Sequence, residues 1–169
     1  MLIEEGRIKA AFESGVFVLK LCGDVRLTLC ATLDSQAQRL AKTPGLEAVM
    51  IDLREATNVD STALGFLAKV AIAVKGRLEQ PPTIIVDNPD VRKMLDVMGF
   101  SHFFTLMKMP LEQPLPEAAE TVTEVSADEQ GMRQRILEAH RILMHMNEHN
   151  REQFQPLVEM LEEQDKSPE

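Results

Sequence analysis

No stretch of eighteen or more apolar residues occurs in the chain, so no segment reads as a membrane-spanning helix. Met1 to Gly6 also lacks the basic region and apolar core of a secretory signal. Cysteine is scarce. Cys22 falls in a strand-like segment and Cys30 near a helix start, with neither metal-type spacing nor a redox pair, so both read as reduced, structural thiols. Positive charge is not in excess, since 18 Lys and Arg stand against 27 Asp and Glu. A nucleic-acid footprint needs a basic face to displace counterions, and so does adsorption to an anionic membrane. Glycine-rich, phosphate-cradling loops are missing as well. These absences lead us to expect a cytoplasmic chain with protein partners, no nucleic acid, no membrane and no cofactor.

The net charge of −9 is unevenly placed. Residues 1–111 hold thirteen acids and thirteen bases, whereas residues 112–169 hold fourteen acids and five bases, so the C-terminal part carries all of the excess. Size and apolar content suit one compact domain with an appendage. Composition shifts after Met107, where Pro110, Pro114 and Pro116 precede a stretch without apolar period. We therefore read a domain over residues 1–109, a linker over 110–125, a helical extension over 126–165 and a tail over 166–169.

Within the domain, Lys9 to Phe12 and Val16 to Leu21 flank the turn chemistry of Glu13-Ser14-Gly15 and predict a hairpin. Helical spacing follows over Thr32 to Lys42, then a buried strand over Glu47 to Leu53. A polar loop, Arg54 to Asn58, leads into a helix reaching about Leu78, with Leu64, Leu67, Ala68, Ala71 and Ile72 on one face. Pro81-Pro82 break the chain before the strand Thr83 to Val86. Asp87-Asn88-Pro89 then open a helix to Met98, and Phe103 to Met107 form a last strand. Such alternation predicts an α/β fold with a mainly parallel or mixed sheet, an edge hairpin, helices chiefly on one face and the strand-to-helix loops gathered at one end.

The most informative junction is Ala48-Val49-Met50-Ile51-Asp52-Leu53 followed by Val59-Asp60-Ser61-Thr62-Ala63-Leu64-Gly65. Asp60 can cap the helix, which puts Ser61 and Thr62 in a first turn whose partial positive charge tolerates added phosphate. The pattern resembles the STAS domain of anti-sigma factor antagonists, whose signature reads roughly Asp-Leu-Ser, five residues including a Val and a Phe, then Asp-Ser-Ser/Thr-Gly-Leu-Gly. Asp52-Leu53, Val59 to Thr62 and Leu64-Gly65 match it without a gap. Arg54, Ala56, Asn58 and Ala63 depart from it. Leu21-Cys22-Gly23-Asp24-Val25 is similar to the family's strand end Leu-x-Gly-Glu/Asp-Leu/Val, and Val91 to Phe100 to its late helix, so the likeness runs over about residues 5 to 110.

The resemblance implies that a serine kinase phosphorylates Ser61, with Thr62 as a second candidate. It also implies that Asp24, Asn58, Asp60, Ser61, Thr62, Leu64 and Asn88 face an anti-sigma factor, which the unphosphorylated protein binds and a phosphatase restores. STAS-like domains also serve as structural subunits of transport or signalling assemblies, or bind nucleotides, and that is the alternative reading.

Catalysis by Ser61 is not expected, because His102 is the only histidine in the domain and no His and Asp pair stands beside Ser61 in the sequence. In the extension, Ser126 with Glu129 has the form of a capping box. Met132, Ile136, Leu143 and Met144 give a stripe, and Pro156 suits the first turn of a second helix after a break at Asn147 to Asn150. The pair of helices either packs on the domain or binds a second protein. His145-Met146-Asn147-Glu148-His149 has the form H-x-x-E-H of zinc peptidases, but the chain has no place for the further ligand-supplying helix, so no metal is expected. His140, His145 and His149 read as a solvated face.

Overall fold

Alternate residues of three strands share one apolar surface: Phe17, Leu19 and Leu21, then Val49, Ile51 and Leu53, then Ile84 and Val86 of a strand and the residue after it. Period-two alternation aims these side chains to one side of a pleated sheet. In the computed structural model, which describes residues 5–110 and 120–166, the strands are β1 (Arg7–Glu13), β2 (Val16–Val25), β3 (Ala48–Val59), β4 (Thr83–Ile85), β5 (Thr105–Met107) and β6 (Glu120–Thr121). Among the described residues they form one sheet of order β5-β4-β3-β2-β1-β6. β2, β3, β4 and β5 run parallel, and β1 pairs antiparallel with both β2 and β6. The helices are α1 (Cys30–Lys42), α2 (Ser61–Ala73), α3 (Pro89–Val97), α4 (Glu129–Met144) and α5 (Glu148–Lys166), with 3-10 turns at Leu27–Leu29 and Phe100–His102. All five α-helices contribute to a single core, which includes Leu33, Leu67, Leu95, Leu143 and Phe154.

Several expectations are corrected. The polar loop at Arg54 to Asn58 is strand, because β2 continues to Val25 and pairs Gly23 with Ala56, Asp24 with Asn58 and Val25 with Val59 across two register irregularities. Arg54 turns back onto the buried Asp52 with two 3.0 Å bonds to its carboxylate, which neutralises a charge held 2 % exposed. α2 ends at Ala73, earlier than Leu78, and the chain turns through Gly76 at φ 82°. The hairpin is not an edge, since β6 lies outside β1. Residues 120–125, read as part of a linker, are laid along the domain: the Val122 amide donates to the Ile8 carbonyl at 2.9 Å and the Val125 amide to Thr32 Oγ1 at 2.9 Å. Pro114 and Pro116 lie outside the described residues.

The cap of α4 is Asp128, whose Oδ1 accepts from the Gly131 amide at 2.7 Å, and not Ser126. Pro156 sits inside α5 and not in its first turn. The helix tolerates it because Pro156 and Glu152, whose carbonyl loses its donor, both face water.

Candidate functional site

The parallel pairing of β2 and β3 brings two chain segments together beyond their last rungs, and Asp60 fastens them. Its amide donates to the Val25 carbonyl at 3.0 Å. Its Oδ1 accepts from the Ala63 amide at 2.8 Å and so caps α2, and its Oδ2 accepts from the Leu27 amide at 2.8 Å and so holds the 3-10 turn that leads into α1. Ser61 follows as the first residue of α2, its backbone fixed on both sides. Asn58 Nδ2 donates to Asp24 Oδ1 at 3.1 Å, and Arg26, which the sequence reading did not single out, forms an ion pair with Asp24 Oδ2. Asp24, Asn58, Asp60 and Ser61 therefore gather at one end of the sheet, as expected.

Thr62 and Leu64 do not join them at the surface. Thr62 is 6 % exposed, and Leu64 is fully buried in the core that α2 shares with the sheet and α4. Asn88 belongs elsewhere on the sheet: its Oδ1 caps α3 by accepting from the Asp90 amide at 2.9 Å. The strand preceding it, β4, leaves β3 at the Asp52 and Ile85 pair, seven positions short of Val59.

A residue from the extension completes the site. Ser61 Oγ lies 2.9 Å from His140 Nε2, while His140 Nδ1 lies 2.6 Å from the Ile136 carbonyl. A carbonyl only accepts, so Nδ1 carries the proton, and the free Nε2 accepts the Ser61 hydroxyl proton. Burial holds the imidazole below its ordinary value of 6.5, partly opposed by that carbonyl and by Asp60. Phe154 of α5 covers the ring edge-on, with centroids 4.9 Å apart. His140 is thus 2 % exposed, which corrects its reading as solvated, whereas His145 and His149 are exposed. These last two also fail the geometry that H-x-x-E-H needs, because His145 ends α4 and His149 belongs to α5, with a turn between them.

A serine hydroxyl bonded to a neutral imidazole is the first half of a nucleophile and base pair. Two grooves among the described residues, of about 430 and 330 Å³, are lined by other residues than Ser61 and His140. The arrangement is a latch between α2 and α4. Around it, a carbon added at Gly65 would fall 2.6 Å from Ala139 Cβ, so the helices touch where neither has a side chain beyond a methyl. Lys69 of α2 pairs with Asp34 of α1 and Glu138 of α4, and Arg135 of α4 approaches Asp34 at 3.6 Å. Burial pushes the two thiols up, Cys30 to about 12, so neither is a ready nucleophile.

Comparison with known proteins adds the following. A family model described as STAS domain matches residues 7–118, so α4 and α5 lie beyond it. No curated protein sequence matches the chain. The solved structure of the Bacillus cell fate determinant SpoIIAA in its phosphorylated form is 11 % identical, with a TM-score of 0.51 over 62 % of this chain and 93 % of its own. The anti-sigma factor antagonist SpoIIAA in its unphosphorylated form gives the same identity and TM-score over 64 % and 92 %. At such identity the likeness speaks to the fold.

Proposed function

Because the chain belongs to the STAS-domain family, we propose that it is an anti-sigma factor antagonist, a protein-binding module rather than an enzyme, competent with Ser61 as a free hydroxyl and switched off when a serine kinase phosphorylates it. The observation that carries this reading is the clamp at Asp60, which fixes the half-buried Ser61 at a helix start beside the Asp24 and Asn58 cluster. Thr62 is buried, so the assignment falls on Ser61.

Phosphorylation would place about −1.5 to −2 charges next to Asp60. The start of α2 offsets part of this locally, by about 0.3 to 1 kcal/mol, so α2 need not unfold. An anti-sigma factor docking over Asp24, Asn58, Asp60 and Ser61 meets the remainder. Burying a dianion where a hydroxyl was accommodated leaves it unpaired, and a loss of about 3 kcal/mol weakens binding more than a hundredfold. A phosphatase returns the protein to its binding form.

The test is a quantitative pull-down from native lysate with wild-type, Ser61→Ala and Ser61→Asp baits. An anti-sigma factor retained by the Ala bait and depleted about a hundredfold with Asp is the expected result. Captured proteins indifferent to residue 61 would instead favour a structural subunit in which Ser61 is only a helix-start residue.

A further inference from the structure

We propose that α4 and α5 are a hinged cap which closes over Ser61 and masks it from kinase and partner alike, so that modification and binding both pass through an open form. Its consequence for switching rests on the reading of Ser61 above; the closure itself rests on contacts between the extension and the domain.

Three sets of contacts hold the cap. At the N-terminal end of α2, the Ser61 hydroxyl is engaged by His140, whose other nitrogen and edge are taken by the Ile136 carbonyl and Phe154. Along α2, Gly65 lets the α4 backbone come within what would be a clash for any larger residue, the Ala139 carbonyl lying 2.5 Å from the added carbon, and Lys69 is tied to Glu138. At the turn between α4 and α5, Asn150 Nδ2 donates to the Met98 carbonyl at 2.8 Å and the Leu143 carbonyl at 2.9 Å, and Asn147 Nδ2 donates to the Val97 carbonyl at 3.3 Å. The end of α3 thereby gives the cap a second anchor besides α2.

The cap shares the domain's core through Ala139, Leu143 and Phe154, but each of its helices reaches that core with fewer buried residues than α2 does. The buried residues of α4 and α5 are Leu137, Ala139, His140, Leu143, Asn150, Phe154 and Val158, a narrow stripe, whereas α2 alone buries eight of its thirteen residues. A layer attached by less apolar surface opens at lower free energy than the domain unfolds. A kinase needs Oγ free of its acceptor and the start of α2 uncovered, and a partner reading Asp24, Asn58 and Ser61 together needs the space α4 occupies beside Ser61. Either ligand binds with an affinity reduced by the open fraction, so about 1 % opening imposes about a hundredfold penalty that a partner of the cap could remove.

Thiol accessibility tests the cap in the full chain. Cys22 and Cys30 are buried, which keeps the background low. In a Ser61→Cys variant, alkylation by a maleimide, compared per thiolate, should run at least tenfold slower than in Ser14→Cys, which places a thiol on the exposed hairpin tip. Adding Ala139→Arg, which wedges a side chain against Gly65, or Asn150→Ala, which cuts the anchor at α3, should restore the faster rate while amides of β2 and β3 stay protected from hydrogen exchange. The two second-site changes act at different places, so misfolding of one leaves the other informative. A Ser61→Cys rate equal to that of Ser14→Cys overturns the proposal, as does a slow rate that neither change raises. The readout involves no phosphate: a failed cap leaves the bait comparison standing, and an indifferent bait comparison leaves the cap standing.

Discussion

Asp60 uses both carboxylate oxygens, one for each of two helical segments, so its removal costs more than an ordinary cap. Losing a cap costs about 1 kcal/mol, and the Leu27 amide left without an acceptor adds about 1 kcal/mol or more. Asp60→Ala should therefore lower stability in urea unfolding by about 2 kcal/mol. Asp60→Asn, with a single carbonyl oxygen, should lose roughly half of that; equal losses in the two variants would mean that the second bond contributes nothing. The sequence exposed Asp60, Ser61, Asn58 and Asp24 because they lie in short motifs at strand ends. His140 was hidden by its separation in the chain, although a signal existed: it falls four residues after Ile136 and three before Leu143, inside the apolar stripe of α4. Leu64 carried the same signal in reverse, since an apolar residue on the inner face of α2 is not free to meet a partner.

At the scale of elements, docking of α4 is coupled to pH. The imidazole of His140 is held neutral, with its value below 6.5, so the folded state binds this proton less readily than the unfolded one. The stability it contributes is present above 6.5 and is lost as pH falls through 6.5 toward the lowered value. Facing it are Ser61 and, more distantly, Asp60 from the α2 side and Phe154 from α5, while Lys69 and Glu138 pair about two turns further along α2. Amides of α4 and α5 should exchange faster at pH about 5.5 than at about 7.5 after correction for intrinsic rates, and His140→Gln should flatten that difference. An unchanged difference in His140→Gln would assign the effect to other groups. Elements with strong period were legible: β2, α1, α2 and α3 stand where apolar spacing set them, with ends shifted by a few residues. The extra length of β3 and the two residues of β6 were not, because both are decided by a partner strand rather than by their own composition.

For the whole molecule, the α/β fold was readable from alternation alone, but the fate of the extension was not. An amphipathic helix pair shows the same stripe whether it covers its own domain or another protein. What decides is a complementary surface, and that surface is Gly65 with Ser61, Lys69 and the end of α3, which no local pattern joins to α4. The acidic excess lies in the chain after residue 111, where Arg133 with Asp165 and Arg141 with Glu162 tie α5 to α4 at exposed sites worth little each. The molecule is thus a charge-balanced sheet domain covered by two helices, with the clamped Ser61 at the seam.

The most direct test of the central claim, that Ser61 is the switch, is site-resolved mass spectrometry of the full-length protein after incubation in native lysate with ATP. The account predicts a single phosphate on Ser61, absent from Ser61→Ala and added faster to Asn150→Ala. Phosphate on another residue, or none under conditions in which other proteins of the lysate are phosphorylated, would contradict it.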